Sequence, residues 1–241
     1  MVTLTSNKNI VSVHVNGVYI GTVQLSENPH HKQHCYIKLE LRSYDCAISA
    51  ELFGKLSQLT GRTLQTMVNS DDAQITSFLS AGGFVCKRKC YEVEANRSDY
   101  VGAGAKASLL YASMGEEMYA LCCKIMYGHY IETHRDVNPW TAELADFCEN
   151  LPAEAVYEAD DGEIVDLAFV EGNEIAYICG ADERRFVGFA ASLVNELFLK
   201  HDAVCFESDD CDWAAMRLRS MFAHQDETSF DTYIYDCRRL R

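Results

Sequence analysis

The residues whose types and spacing best suit an anion lie from Arg184 to Ala190, near the predicted start of a helix. Arg184 and Arg185 add positive charge, and the small residues Gly188 and Ala190 leave the backbone accessible. The first turn of a helix presents N–H groups without intrahelical partners and the positive end of the helix dipole. The pattern therefore predicts a diphosphate site, although an arginine-rich turn is also typical of a solvated helix face.

The elements that would position this turn occur twice in the chain. At an offset of 138 residues, Ser70-Asp71-Asp72 aligns with Ser208-Asp209-Asp210, and Phe84 aligns with Phe222. In both places an apolar, strand-like run precedes the Ser-Asp-Asp and a helix-like stretch follows it. A fixed offset is a signal at the level of the fold, so the sequence predicts two copies of one unit.

The two copies differ at the start of the first of these helices. The segment that aligns with Arg185 to Ala190 is Ala47-Ile48-Ser49-Ala50-Glu51-Leu52. It contains neither the arginine nor the glycine, and Glu51 would repel a phosphate. We therefore expect the anion site in the second copy alone, with the first copy as a degenerate structural partner.

Composition limits the class of protein. The 241 residues are 48% hydrophobic and 24% charged, which suffices for two folded units. Neither a charge-free apolar run of membrane-spanning length nor an N-terminal secretory signal is visible. The eleven cysteines are scattered, which predicts reduced thiols and a cytoplasmic protein. The pairs Cys86/Cys90 and Cys122/Cys123 lack zinc-type partners, and no metal site is predicted.

The charge balance bears on partners. The formal net charge is −15, and the acidic excess lies in residues 101–241. Nucleic acid is an unfavourable partner because phosphate neutralisation needs a basic face. An acidic surface attracts a cationic amine or a basic protein, although solubility alone explains most acidic surfaces.

Periodicity and turn signals predict an ordered set of elements in each half. In the first half we expect a hairpin over 10–25 that turns at Asn16-Gly17, a strand over 35–41, a helix over 46–59, a strand over 64–69, a helix over 72–81 and a strand over 84–94. In the second half we expect two leading helices, an intervening aromatic loop over 127–140, strands near 155–159, 163–170 and 174–180, a helix over 185–199, a strand over 203–207, a helix from 210 or 212 to 220 and a closing strand over 230–235. The glycine-containing segment 96–107 is the predicted boundary between domains 1–98 and 99–241.

This order, together with the sequence around Ile178 to Ala190, resembles the GNAT superfamily of acetyl-CoA-dependent N-acetyltransferases. The motif of that family is Arg or Gln, two residues, Gly, one residue, and Gly or Ala. Arg185-Phe186-Val187-Gly188-Phe189-Ala190 matches it. The resemblance implies an α/β fold with a mixed sheet, present as two GNAT-like units in tandem. It extends to both halves in fold but only to residues 99–241 in cofactor chemistry.

The resemblance also implies roles for particular residues. Acetyl-CoA would be bound by the fourth strand, the following turn and the fifth strand's end: Ile178, Cys179, Gly180, Arg184, Arg185, Phe186, Val187, Gly188, Phe189, Ala190 and Asp210. Glu174 is the nominal general base. The family's usual acid, a tyrosine, is replaced by Arg217, which leaves Tyr233 or Tyr235 as substitutes. Cys179 and Cys205 are better explained as packing residues than as nucleophiles.

The activity that follows from these roles is acetyl transfer from acetyl-CoA to a primary amine. The acceptor is a small molecule or a protein, and a cationic one would suit the acidic surface. Neither a nucleic acid nor a membrane is expected as a partner. The alternative is a catalytically weak acyl-CoA-binding or scaffold protein of the same fold.

Overall fold

The computed structural model describes residues 1–102, 106–223 and 226–236. The chain forms two compact units. Unit 1 comprises Met1–Lys89, Asp136–Thr141 and the C-terminal segment from Thr228. Unit 2 comprises Cys90–Arg135 and Ala142–Glu227. Among the helices described, none combines the length and the apolar character needed to cross a membrane.

Unit 1 is a mixed sheet with two helices. Its elements are β1 (Val2–Asn7), β2 (Ile10–Val15), β3 (Val18–Ser26), β4 (His34–Leu41), α1 (Cys46–Thr60), β5 (Thr63–Asn69), α2 (Ala73–Ala81), the first part of β6 (Val85–Asn96) and β12 (Phe230–Tyr235). The strand order is β1-β2-β3-β4-β5-β12-β6. The pair β4 and β5 is parallel, whereas β1 to β4 and the pair β5 and β12 are antiparallel.

Local signals in the sequence set the ends of these elements. Asn16 and Gly17 both have positive φ, as the predicted hairpin turn requires. The carboxylate of Asp45 caps α1 and that of Asp72 caps α2. Gly61, in the left-handed region, ends α1. The helices then bury their apolar faces against the sheet, with Leu52, Phe53, Leu56, Phe78, Val11, Val13 and Val23 fully enclosed.

Unit 2 has the same order of elements with two helices added near its beginning. It contains the rest of β6, a 3-10 turn over Arg97–Asp99, β7 (Leu110–Ser113), α3 (Glu117–His134), α4 (Leu144–Glu149), β8 (Glu154–Asp160), β9 (Glu163–Glu171), β10 (Glu174–Gly180), α5 (Glu183–Lys200), β11 (Ala203–Asp209) and α6 (Trp213–Arg219). Its strand order is β6-β11-β10-β9-β8-β7. Among the strand pairs described in this unit, only β10 and β11 run parallel.

Helix α5 provides most of the core of unit 2. The helix packs against β8, β9 and β11, and its buried residues recur with helical periodicity: Phe186, Phe189, Ala190, Leu193, Val194 and Leu197. Helix α3 contacts strands β7 to β10. Strand β9 is buried over five successive residues, as expected for a strand that is covered on both faces.

The final strand differs from the sequence-based expectation. Strand β12 was predicted to close the second half, but it pairs with β5 of unit 1, with Tyr233 opposite Thr66. Conversely, β6 follows α2 of unit 1, and its residues Cys90 to Asn96 pair with β11 of unit 2. Hydrophobic pattern alone does not specify which open strand edge a terminal strand will occupy.

The compact units consequently do not coincide with the predicted domains 1–98 and 99–241. That residue 98 is the boundary between two repeated sequence units stays a prediction. Part of the predicted linker over 96–107, namely 103–105, lies outside the described residues.

The predicted aromatic loop over 127–140 is wrong in its first half, because α3 continues to His134. Tyr130 and His134 lie one helical turn apart and their rings stack at a centroid distance of 4.1 Å. The second half, Asp136–Thr141, belongs to unit 1. There Trp140 stacks on His30 at 4.7 Å, and the Tyr36 hydroxyl donates a 2.8 Å hydrogen bond to Asn138 Oδ1.

Removal of β12 tests its place in unit 1. A chain that ends at Thr228 should lose Tyr233, Ile234 and Tyr235 from the core of that unit, each worth about 1.5–3 kcal/mol when buried. Because domains are stable by only about 5–15 kcal/mol, we expect a partly unfolded protein in denaturant titrations followed by circular dichroism. A chain that ends at Asp236 is the control and should unfold like the full chain. Equal denaturation midpoints for the two truncated chains and the full chain would contradict this strand assignment.

Candidate functional site

Strand β10 pairs with β11 through its first two residues and then leaves it. Glu174 pairs with Cys205 and Ile175 with Phe206, whereas β10 stays paired with β9 as far as Gly180. A bulge between Ile175 and Tyr177 interrupts the register with β9 where β10 leaves β11. The second half of β10 therefore diverges from its parallel neighbour and leaves an edge that does not pair with β11.

Three of the predicted cofactor residues lie in this diverging half. Ile178 and Cys179 are buried, and Gly180 is half-buried at the end of the strand. Burial raises the pKa of the Cys179 thiol, and nearby Asp212 raises it further. The thiol therefore remains protonated at neutral pH, as expected for a packing cysteine and not for a nucleophile.

The turn after β10 is shorter than the motif suggested. Only Ala181 and Asp182 separate β10 from α5, which begins at Glu183 instead of the predicted 185. Asp182 Oδ1 accepts hydrogen bonds from the N–H groups of Arg184 and Arg185, at 3.0 and 3.2 Å. The cap of the helix thus occupies two of the amides expected to bind a diphosphate.

The motif residues therefore lie within the helix and not in a loop before it. Phe186, Phe189 and Ala190 are buried in the core, whereas Val187 and Gly188 are half-buried. Arg184 is exposed. Arg185 forms an exposed ion pair with Asp160 at 2.6 Å, a contact that raises the pKa of its guanidinium.

A carboxylate lies beneath this helix start. Asp166, on β9, is 1% exposed and pairs in register with Gly180. A methyl group in place of the Gly180 hydrogen would overlap the Asp166 carboxylate and crowd Phe186. Burial raises the pKa of Asp166 to about 6, Glu158 contributes in the same direction, and Arg185 opposes it. Buried carboxyls with a raised pKa are typical of functional sites, although structural groups also show them.

The turn between β11 and α6 corrects the repeat alignment. Asp212 N–H donates to the carbonyl of Asp209 at 3.0 Å, just as Asp72 N–H donates to that of Asn69 at 3.1 Å. The two turns therefore correspond at an offset of 140 and not 138. Asp212 is the cap of α6, whereas the predicted cofactor residue Asp210 is exposed within the turn.

Two histidines of the predicted aromatic loop, where pocket-lining and ordinary packing were both open roles for them, reach this turn. His129 Nε2 lies 2.9 Å from Asp212 Oδ2, and His134 Nε2 lies 2.9 Å from Asp209 Oδ2. Both histidines are on α3, in the stretch that was predicted as a loop. The sequence did contain a signal for a helix here, because the aromatic residues around the histidines are spaced as they would be on one helix.

Aromatic rings lie beside the turn as well. Trp213, the first residue of α6, contacts Phe186 edge-on at 5.3 Å and His129 at 6.3 Å. Helix α6 also contacts β10. The open end of the β10–β11 pair is thus bordered by α6, by the start of α5 and by α3.

Neither of the two predicted catalytic residues belongs to the diverging half of β10. Glu174 is exposed and lies where β10 and β11 are still paired. Along the strand it is about 13 Å from Ile178 and about 20 Å from Gly180. Tyr233 lies on β12 in the core of unit 1, as does Tyr235. Neither tyrosine is therefore part of the divergence in unit 2.

Unit 1 contains a divergence of its own. Strands β4 and β5 share three residue pairs, from His34↔Thr63 to Tyr36↔Gln65, and then separate. The gap is a cavity of about 330 Å³, a volume at the lower end of the range for ligand sites. Residues of β4, β5, α2 and β12 line it, among them Ile37, Leu39, Thr66, Val68, Asp72 and Phe230.

Comparison with known proteins shows which fold the chain has. No family model and no curated protein matches the chain. Among solved structures, it is similar to a GCN5-related N-acetyltransferase from Sphaerobacter thermophilus, with 11% identity, a TM-score of 0.52, and 96% of this chain and 81% of that chain covered. A GCN5-related N-acetyltransferase from Kribbella flavida matches with 13% identity, a TM-score of 0.50, and 97% and 89% covered. A tandem GNAT protein from the clavulanic acid biosynthesis pathway matches with 11% identity and a TM-score of 0.47, over 93% and 81%.

The likeness to the first two structures establishes the fold. The chain has the mixed α/β fold of the GNAT N-acetyltransferases. At these identities the likeness concerns architecture, and the chemistry has to be argued from the residues.

The buried Asp166 generates a prediction about stability. A folded-state pKa of about 6, against 3.8 ordinarily, means that the folded protein loses stability as the pH rises from about 4 to about 6. The loss approaches about 3 kcal/mol at higher pH. The variant Asp166→Asn should therefore be more stable than the wild type at about pH 8, and the difference should shrink towards about pH 4.5 in urea titrations. The exposed Asp161→Asn is the control; a pH-independent difference at position 166 would refute the assignment.

Proposed function

We propose that this protein is an acyl-CoA-dependent N-acyltransferase that transfers an acetyl group from acetyl-CoA to a primary amine. The observation that carries the proposal is the divergence of β10 from β11 after two residue pairs. It leaves main-chain groups of β10 available to an extended, amide-containing chain such as the pantetheine arm of coenzyme A. The GNAT fold of the solved structures above supports the same chemistry.

The reaction requires a neutral amine, stabilisation of the oxyanion, and a proton for the departing thiolate. Backbone N–H groups between Ile178 and Gly180 would stabilise the oxyanion. His129, oriented by Asp212, is the group that we assign to removal of the proton from the amine. Arg217 does not serve as the acid, because a guanidinium keeps its proton.

Binding of the diphosphate would need a local exchange of partners. Asp182 holds the N–H groups of Arg184 and Arg185 in the unbound protein. A diphosphate at this helix start would displace that carboxylate and would be drawn by Arg184 and Arg185. The neighbouring acidic residues Glu158 and Asp160 would favour a cationic acceptor over an anionic one.

A second candidate is a GNAT-fold protein that binds partners without turnover. Specific features favour it: the capped amides of α5, the contact of Trp213 with Phe186 at 5.3 Å, and Arg217 at the position of the usual acid. In this case the fold would serve recognition, and acetyl-CoA would not be consumed. The experiments below distinguish the two candidates.

The first experiment measures binding. Acetyl-CoA at a hundred times its dissociation constant should stabilise the folded protein by about 2.7 kcal/mol and raise the melting temperature by several degrees. Gly188→Trp should abolish this increase, because the bulky ring blocks access to the start of α5. Glu51→Trp, at the corresponding helical position in unit 1, is the matched control and should preserve it.

Absence of any increase in the folded wild type, at millimolar acetyl-CoA, would refute the proposal. An increase that survives Gly188→Trp but is lost in Leu39→Trp, which fills the cavity of unit 1, would assign binding to that unit instead.

The second experiment concerns Asp182. Asparagine is an equally good helix cap, so Asp182→Asn keeps the helix while it removes a negative charge from the diphosphate site. The affinity for acetyl-CoA should rise by about two- to fivefold, the usual worth of one charge at a helix end. Isothermal titration would measure the change. Unchanged or weaker binding would mean that the diphosphate does not occupy this helix start.

Turnover separates the two candidate functions. Sustained release of free thiol from acetyl-CoA, dependent on an added amine from a broad panel, would establish the enzyme. His129→Gln should then lower the rate by about 10²–10⁴-fold, the usual contribution of a general base. Saturable binding of acetyl-CoA without amine-dependent release would favour the second candidate.

A further inference from the structure

We propose that His134, Asp209 and Cys211 form a binding site for one divalent transition-metal ion of the zinc class. One potential ligand atom from each residue lies within 4.8 Å of the others. The site is separate from the motif at the start of α5, and the inference does not depend on acyl transfer.

Three elements of unit 2 meet at this site. His134 is the last residue of α3, Asp209 is the last residue of β11, and Cys211 lies in the turn before α6. The turn is fixed by the hydrogen bond from Asp212 N–H to the carbonyl of Asp209 and by the cap of α6. The ligands are consequently held by a helix, a strand and a tight turn, which gives the site little freedom to rearrange.

The surroundings of His134 suit a metal ligand that binds through Nε2. The ring is buried, and its Nδ1 lies 2.9 Å from Thr133 Oγ1. The Thr133 hydroxyl has a single proton and lies 3.0 Å from the carbonyl of His129, to which it can donate. With the proton so placed, the hydroxyl oxygen accepts a hydrogen bond from Nδ1–H, and the Nε2 lone pair remains for a metal ion.

His134 Nε2 in turn faces the carboxylate of Asp209 at 2.9 Å. In the tautomer with its proton on Nδ1, Nε2 carries a lone pair and can bind a metal ion together with the Asp209 carboxylate. A histidine whose other nitrogen donates to a fixed oxygen is the usual arrangement of a metal ligand.

The thiol of Cys211 completes the set of three ligands and selects the metal. Imidazole, thiolate and carboxylate together suit Zn²⁺ or Co²⁺, whereas Mg²⁺ and Ca²⁺ prefer oxygen ligands throughout. His134 is buried, but Asp209 and Cys211 are only half-buried. An ion therefore has a path from solvent, and a water molecule can complete a four-coordinate site.

The neighbouring pair of His129 and Asp212 is different. Asp212 Oδ1 already caps α6 through the N–H groups of Ala214 and Ala215, and its Oδ2 faces His129. No cysteine belongs to a metal-binding group with that pair among the described residues. The proposed site was not predictable from the sequence because 75 positions separate His134 from Asp209.

The test is titration of the full-length, reduced, metal-free protein with Co²⁺. We expect saturation at one equivalent, visible d–d bands of a tetrahedral ion and a thiolate-to-cobalt charge-transfer band. One equivalent of Zn²⁺ should displace the ion, and excess Mg²⁺ should not. Absence of a saturable one-to-one spectrum, or displacement by Mg²⁺, would overturn the proposal.

Variants identify the ligands. Cys211→Ser should remove the charge-transfer band, and His134→Gln should weaken Co²⁺ binding by about tenfold or more. Cys148→Ser and His201→Gln, also in unit 2, are the matched controls and should leave the spectrum unchanged. If His134→Gln fails to fold, the half-exposed Cys211→Ser still decides the question. A band that persists in Cys211→Ser, or that Cys148→Ser removes equally, would show binding elsewhere and refute the site.

Thr133 provides a further check on orientation. Thr133→Val removes the acceptor for His134 Nδ1–H and should weaken Co²⁺ binding by about 10–100-fold. Thr133→Ser keeps the hydroxyl and should restore most of the affinity. Equal affinities in Thr133→Val and the wild type would contradict the proposed role of the Nδ1 hydrogen bond.

Discussion

The separation of two parallel strands is the constraint on which the rest of unit 2 depends. A strand that leaves its neighbour exposes N–H and C=O groups, and buried backbone groups need partners. Strand β10 leaves β11 after Ile175, next to a bulge. Helix α6 then contacts β10, and Trp213 packs against Phe186. The same separation that could admit a cofactor arm therefore also determines where α6 and the start of α5 lie.

Because of this geometry, the Asp182 carboxylate and a diphosphate would compete for the N–H groups at the start of α5. A helix that begins beside a strand end needs acceptors for its first N–H groups. The GNAT motif would leave that role to a diphosphate, but this chain supplies its own carboxylate at Asp182. Asp45 does the same for α1 in unit 1. Because both units cap this helix internally, bound anion is not needed for folding, and any affinity for a diphosphate is reduced by the carboxylate that it must replace.

The sequence was sufficient for elements with strong local signals. Strand β10 was predicted at its observed bounds, Asn16-Gly17 turned as expected, and Asp72 proved to be the cap of α2. Features set by distant partners were not predictable in this way. The end of α3 depends on contacts of His129 and His134 with a turn more than seventy residues away. The pairing of β12 with β5 is also set by tertiary structure, since an alternating strand suits several edges.

For the candidate site, the strand was predictable and the side-chain roles were not. Ile178 to Gly180 lie in the diverging half of β10, and their role in binding acetyl-CoA stays a prediction. Side-chain roles require two elements to meet, whereas Glu174 lies where β10 and β11 are still paired and Tyr233 belongs to unit 1. The helix that does reach the β11–α6 turn is α3, which has no counterpart in unit 1 among the described residues.

The side chains beside the two divergences also differ. In unit 2, α3 contributes His129 beside Trp213, and Trp213 contacts Phe186. At the positions of unit 1 that correspond to Trp213 and Phe186, counted from the helix caps, the residues are Ala73 and Ser49. Unit 1 has a cavity of about 330 Å³ at its own divergence. The copy without the arginine and glycine motif thus still has a cleft where its parallel strands separate, so a cleft in this fold does not require the motif.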